Sequence, residues 1–396
     1  MSDFPIVPFA RSDPLSVPAA YRELRAKEGI AKVRTLMGDE VWLVSGYEDA
    51  RTLFADSRLN RSHPAPGQAA RVSASALLGG PQGDAATEKA EHDRMRRLFV
   101  PSFSARRMKA LSEHVGVLVD ERLDHLATLT PPADLHAELS FPLPVLVICQ
   151  LLGVPFEDRD YFSGVSARMG DATDEALGMA AREEMGSYMA DLIERKRHAP
   201  GEDVLSDLAG ELDDDGKIAQ LAGALLFAGH ETTVNRIDYG VLLLEANPAQ
   251  LALLRADPGL AGAAVEEILR LAAPSLHGLP RYAHDDLEVG GVTIRRGEAV
   301  LLMPGAANRD ERVFADPDAF DLRRPPGDPQ LSFGYGPRFC IGAGLARVEL
   351  EAVFGRLYQR FPDLRVAVPV SELPRAEGRI TEGFAELPVT WSGTPR

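Results

Sequence analysis

Two cysteines are all that 396 residues carry. Cys149 and Cys340 are too few for a disulfide framework, and so sparse a use of thiols fits a reducing compartment. Basic charge is also short: 43 Lys and Arg stand against 59 Asp and Glu, a formal net charge of −16. That balance argues against nucleic acid and against an anionic membrane surface as partners. Long hydrophobic runs are missing too. The longest, about 139 to 154, is broken by Pro142 and Pro144 and is too short to span a bilayer. The start of the chain, Met1-Ser2-Asp3-Phe4-Pro5, lacks the basic and apolar regions of a signal peptide. The expectation is a cytoplasmic protein. No linker divides the sequence, so one domain over residues 1–396 is expected, with apolar residues enough for a large core.

The stretch Phe333-Gly334-Tyr335-Gly336-Pro337-Arg338-Phe339-Cys340-Ile341-Gly342 holds one of the two cysteines. Glycines flank the sulfur, a proline stiffens the approach, and a helical pattern starts directly afterwards. Glycine lets a backbone pass close to a flat ligand, and a helix start favours a thiolate. The bland alternative is a free core cysteine beside a turn. A dinucleotide loop is rejected, because Phe339 stands where a third glycine is needed.

The stretch resembles, position by position, the cysteine loop of cytochromes P450, Phe-Gly-x-Gly-x-(His/Arg)-x-Cys-x-Gly. The resemblance implies a mainly α fold with a small β region, heme b as cofactor, and Cys340 as axial thiolate on the iron. Membrane-bound members carry an N-terminal anchor helix. The lack of one in this sequence points to the bacterial type.

Three other segments carry the same resemblance. The pattern from Lys217 to Asn247 is almost wholly apolar, as a buried helix would be. In its middle lies Ala228-Gly229-His230-Glu231-Thr232-Thr233. A mid-helix threonine can bond the carbonyl four residues back, which for Thr232 belongs to Ala228. The alternative is a tolerated polar step in a core helix. A zinc-protease helix is excluded, since Val234 stands where a second histidine is required. The segment resembles the P450 oxygen-binding motif, which implies Glu231 and Thr232 as the acid–alcohol pair that delivers protons, with Ala228 and Gly229 beside the heme.

Thr87 to Val100 reads as a helix stopped by Pro101. His92 and Arg96 share one face, which suits two carboxylates or simply solvent. Glu267 and Arg270 lie at i, i+3, and Phe320-Asp321-Leu322-Arg323-Arg324 supplies a further arginine. By resemblance these form the structural Glu-x-x-Arg brace, completed by Arg324. The same resemblance assigns His92, Arg96, Arg281 and Arg338 to the heme propionates, and Phe333, Gly334 and Gly342 to the heme-contacting loop.

The irregular stretch 59–87 corresponds to the B–C segment that roofs a P450 pocket, and 155–200 to the F–G lid region, mobile around 168–176. Residues 276–279 are expected to face the pocket, with His277 either a substrate hydrogen-bond donor or an exposed turn residue. Thr381 to Phe384 is expected to form a last hairpin tip. Residues 92–109 hold six Arg and Lys against Asp93, a basic patch expected to dock an acidic electron donor.

The function implied is a monooxygenase that inserts one oxygen atom of O2 into a mid-sized, mostly apolar small molecule, by hydroxylation or epoxidation. The substrate class expected is a secondary metabolite such as a macrolide. Electrons are expected from NAD(P)H through a reductase and a ferredoxin, to a monomeric enzyme. A peroxygenase and a non-catalytic heme-thiolate protein are the alternatives, and the intact Glu231–Thr232 pair speaks against both.

Overall fold

The computed structural model describes residues 4–11, 13–73, 79–169, 175–273, 277–376 and 382–392. Thirteen α-helices among them run in order as α1 (Ala19–Glu28), α2 (Tyr47–Ala55), α3 (Glu88–Phe99), α4 (Ala105–Ala127), α5 (Pro142–Leu152), α6 (Arg159–Met169), α7 (Glu175–His198), α8 (Val204–Glu211), α9 (Asp215–Ala246), α10 (Pro248–Ala256), α11 (Ala261–Leu271), α12 (Pro304–Ala307) and α13 (Ala343–Arg360). The strands are β1 (Ile6–Val7), β2 (Ile30–Thr35), β3 (Glu40–Val44), β4 (Leu59–Asn60), β5 (Ala133–Asp134), β6 (Leu279–Ala283), β7 (Leu287–Val289), β8 (Val292–Ile294), β9 (Ala299–Leu302), β10 (Arg365–Val366) and β11 (Pro388–Thr390). The expected mainly α fold with a minor sheet is what forms.

The backbone groups into two compact units, Met1–Arg94 with Glu266–Cys340, and Met95–Val265 with Ile341–Arg396. Each is built from two separated stretches of chain, so no linker marks their limits in sequence.

The first unit carries the six-stranded sheet, in order β1-β2-β3-β9-β6-β4, and the small β7-β8 pair. Its nucleus is a hairpin. Strands β2 and β3 pair antiparallel from Ile30 opposite Val44 to Arg34 opposite Glu40. Their alternation sends Ile30 and Val44 into one apolar cluster with Tyr47, Leu53 and Phe54 of α2. Val33, Val41 and Leu43 enter another with Tyr21 and Leu301. Helix α1 starts at Ala19, directly after Pro18.

The second unit is a helix assembly with the small sheet β10-β11-β5. Helix α9, of 32 residues, spans about 48 Å at ~1.5 Å per residue. It is capped by Asp214, whose Oδ1 accepts from the Lys217 amide at 3.0 Å. Gly229 lets α9 close on α5, since a Cβ there would lie 2.9 Å from Ile148 Cδ1. Helix α13 packs along α4, with Gly344 opposite Met108 and Gly116 beneath Arg356. The interrupted apolar run resolves into a π-helical turn, His136–Ser140, followed by α5. Pro142 is tolerated because it occupies the first helical turn, where no intrahelical N–H bond is lost.

Candidate functional site

The cysteine loop belongs to the first unit. A short 3-10 turn, Gly336–Arg338, precedes the cysteine. The Cys340 amide donates to the Phe333 carbonyl at 2.9 Å, and the Gly334 amide to the Leu331 carbonyl at 2.8 Å. Gly334 and Gly336 have φ of 71° and 70°, a region that side chains rarely adopt. A Cβ on Gly336 would also lie 2.9 Å from Ala55 Cα. The second glycine therefore answers a close approach of the loop to α2, where the sequence suggested closeness to a ligand. Cys340 itself is exposed.

The Glu-x-x-Arg brace forms as expected. Arg270, 2% exposed, grips Glu267 with two bonds of 2.7 and 2.8 Å. Arg324 adds a third at 3.0 Å, and the Asp321 amide a fourth at 3.0 Å. The link onward to the cysteine loop is Asn308. Arg270 Nη1 donates to its carbonyl at 3.2 Å. The Asn308 side chain accepts from the Leu331 amide at 2.7 Å and donates to Ser332 Oγ at 2.9 Å. Ser332 in turn donates to the Leu269 carbonyl at 2.5 Å. The brace thus ends on the residue before Phe333.

A cluster of cations lies in the same unit. Arg338 makes a forked pair with Glu88, 2.7 Å to Oε1 and 2.6 Å to Oε2, and reaches Asn60 Oδ1 at 3.0 Å. Burial pushes the Arg281 guanidinium down to about 9, helped by Arg61 and Arg338 and opposed by Glu88. Arg61 is solvent-accessible, and yet surrounding protein, with Arg338, holds its guanidinium below the usual value. His92, one turn into α3, is lowered by burial first and then by Arg338.

In the second unit, the Thr232 hydroxyl donates to the Ala228 carbonyl at 2.9 Å, the bond expected from the sequence. Thr233 is buried, whereas Thr232 faces open space. The neighbouring His230 is fixed by its Nε2, 3.1 Å from the Phe141 carbonyl, and by an edge-on contact with the Phe141 ring.

Residues 259–377 match the family model described as cytochrome P450. The chain is similar to pentalenolactone synthase of Streptomyces exfoliatus, with 45% identity over 99% of this chain and 100% of the relative. The chain belongs to the cytochrome P450 family. It is also similar to mycinamicin IV hydroxylase/epoxidase of Micromonospora griseorubida, with 39% identity over 97% of this chain and 98% of the relative. Among solved structures, a cytochrome P450 from Nonomuraea recticatena superimposes with a TM-score of 0.89 at 38% identity, covering 98% of each chain. A substrate-free pimaricin epoxidase gives 0.89 at 39% identity, covering 99% of this chain and 100% of that one.

As a P450 monooxygenase the protein uses heme with a cysteine thiolate on the iron. The donor set fits that group. Arg338 pairs with Glu88, and Arg61 and Arg281 are influenced by both, a cationic surrounding that suits propionates. An exposed thiol at Cys340, next to a loop held rigid by the brace, fits an iron ligand better than a core cysteine. Cys149 is the contrasting case: burial pushes its thiol up to about 12, and no ligand role attaches to it. Sequence reasoning missed Arg61, Asn60 and Glu88. Arg61 and Asn60 sit at the start of the irregular 59–87 stretch, where no periodicity singles them out, and Glu88 reads as an ordinary acid in a helix first turn.

One residue of the expected basic patch is already paired. Arg107 is bound to Asp207 of α8 through both Nη1 and Nη2, with the Nη2 bond at 3.1 Å. Its charge is paired within the second unit, with both side chains part-exposed. The expected positions 74–78, 170–174, 276 and Thr381 lie outside the described residues. His277 is described: its Nδ1 is buried without a hydrogen-bond partner, so it is not the exposed turn residue of the blander expectation. No helix among the described residues is long and apolar enough to cross a membrane.

Proposed function

We propose that this P450 oxidises a mid-sized, mostly apolar secondary metabolite, by hydroxylation or epoxidation, in the cytoplasm and as a monomer. Heme, when bound, supplies the activation of O2 and the insertion of one oxygen atom. Cys340 holds its iron, and His92, Arg96, Arg281 and Arg338 anchor its propionates. Phe333, Gly334 and Gly342, and Ala228 and Gly229, are the further residues assigned to contact it. Electrons come from NAD(P)H through a reductase and a ferredoxin.

The observation that carries the reading is the Thr232–Ala228 bond. A hydroxyl has one proton to give and two lone pairs to offer. Thr232 gives its proton to the Ala228 carbonyl at 2.9 Å, so what remains is acceptor. It can hold a water or another proton-bearing group by that group's own hydrogen. Glu231, the preceding residue, is the carboxyl that takes up a proton from solvent and passes it on. His230 is committed to Phe141 and leaves that task to Glu231.

The substrate class is supported by the relatives, whose names concern pentalenolactone, pentalenic acid and mycinamicin. The test is a spectral titration of the purified enzyme against pentalenolactone precursors and macrolides, followed by turnover under labelled O2 with NAD(P)H, ferredoxin and reductase. One labelled oxygen in the product is the expected result. Turnover with hydrogen peroxide alone, and none with the electron chain, would replace this reading with a peroxygenase.

A further inference from the structure

The π-helical turn His136–Ser140 and the residue after it meet α9 at two places. Phe141 offers its carbonyl to His230 Nε2 at 3.1 Å and sets its ring edge-on to the imidazole. His136, which opens the turn, has Nδ1 2.7 Å from Oδ2 of Asp238. His230 and Asp238 are two turns apart on α9, about 12 Å at ~1.5 Å per residue. Glu231 and Thr232 fall between them. The turn can reach both places because it closes with the wide π pattern: the Phe141 amide donates to the His136 carbonyl at 2.8 Å. It is itself anchored. Asp134 Oδ1 accepts from the His136 amide at 3.0 Å and from the Leu387 amide at 2.8 Å. Glu138 meets His125 of α4 at 3.0 Å.

The His136–Asp238 pair is a poor device for stability. Asp238 is fully buried, and its Oδ1 and the neighbouring Ser140 hydroxyl both lack a hydrogen-bond partner. A half-satisfied buried carboxylate costs more than an apolar side chain of similar size. What the bond supplies is direction. The stretch of α9 it borders is loosened by Gly229 and by the Thr232 hydroxyl, which bonds the Ala228 carbonyl at 2.9 Å. A helix held at one point can still turn about its axis; held at two, it cannot.

We propose that the His136–Asp238 pair is the second pin of a two-point clamp, with Phe141–His230 the first, which fixes the rotation of α9 where it carries Glu231 and Thr232. His136 and Asp238 are positioning residues. The inference rests on the proton-delivery role proposed for Glu231 and Thr232.

Two readouts on the substrate-free holoenzyme test it. The first is amide hydrogen exchange by mass spectrometry. D238L and H136F should each speed exchange in peptides spanning 228–240 by roughly tenfold, about the loss of one hydrogen bond to a charged group. The double variant H136F/D238L should add nothing further, because either change removes the same pin. D238N, whose amide oxygen still accepts from His136, should stay near wild type. Unchanged exchange in that stretch, or a rise spread equally over α4 and α13, overturns the clamp. If D238L does not fold, H136F and D238N decide by the same criteria. The second readout is the infrared stretch of carbon monoxide on the reduced iron, with T232A as control. D238L should shift or broaden the band in the same manner as T232A, and D238N should not. A band that moves in T232A but not in D238L overturns the positioning role. A band insensitive to T232A is instead a failure of the role given to Thr232, and the clamp then stands or falls on exchange alone.

Discussion

Thr232 donates its hydroxyl to the carbonyl of Ala228, 2.9 Å away on the preceding turn of α9. The bond fixes which way the oxygen's lone pairs point, and the function proposed for this residue depends on that orientation. Thr232→Ala removes the acceptor without touching the helix ladder. NAD(P)H consumption should continue while product per NAD(P)H falls by at least severalfold and peroxide rises. Unchanged coupling would remove Thr232 from the proton route.

Cys340 is expected to be the iron ligand. Cys340→His should still yield a folded protein, because the loop is held by the Phe333 and Leu331 carbonyls and not by the sulfur. The carbon monoxide adduct of the reduced protein should lose the Soret band typical of thiolate ligation. Persistence of that band would assign the iron to another residue.

Glu267→Gln should be strongly destabilising. It removes the charge that balances Arg270, which is 2% exposed, and weakens the bond to Arg324. Breaking a buried pair from one side costs about 3–5 kcal/mol. Urea unfolding of wild type and variant checks it, and a loss below about 1 kcal/mol would mean the pair behaves as a surface bridge.

Arg97 and Arg107 should separate. Arg107→Glu places a carboxylate against Asp207 and should lower stability, because Arg107 is bound within the second unit. Arg97→Glu should leave stability in place and weaken ferredoxin binding, with a penalty that shrinks as salt rises. Titration calorimetry at two ionic strengths, with thermal melts of both variants, tests the division. Salt-insensitive binding by the Arg97 variant would move the docking surface elsewhere.

Glu349 of α13 is 2% exposed, and its Oε2 has no hydrogen-bond partner. Burial raises its carboxyl well above the ordinary 4.5. A raised folded value means the native state keeps a proton that the unfolded chain has lost. Its contribution is therefore fully present below about pH 4.5 and declines as pH rises towards the folded value. The slope is about 1.4 kcal/mol per pH unit. Glu349→Gln should remove that slope and gain on wild type in unfolding measurements from pH 5 to 9. A parallel pH dependence would show that Glu349 ionises freely.

The long apolar stretch of α9, the Cys340 loop, and the Glu267–Arg270–Arg324 brace were all legible in the sequence. The helix, the loop and the Glu267–Arg270 pair are local, whereas Arg324, 57 positions from Glu267, was legible only through the family resemblance. The Thr232 bond was legible as a local contact, since a helix fixes where residue i meets residue i−4. The Arg107–Asp207 pair was not, because its members are 100 residues apart and nothing in a run of arginines tells which one is already paired.

The chain alone therefore determined the family, the mainly α fold and the candidate iron ligand. It did so because glycine, cysteine and helix periodicity act through the backbone near them. Only the tertiary structure decided the charge around Arg281. Arg61, Glu88 and Arg338 come from three distant stretches, and Glu88 meets Arg338 across 250 positions. Electrostatic balance depends on distance in space and on burial, and neither is written in the order of residues.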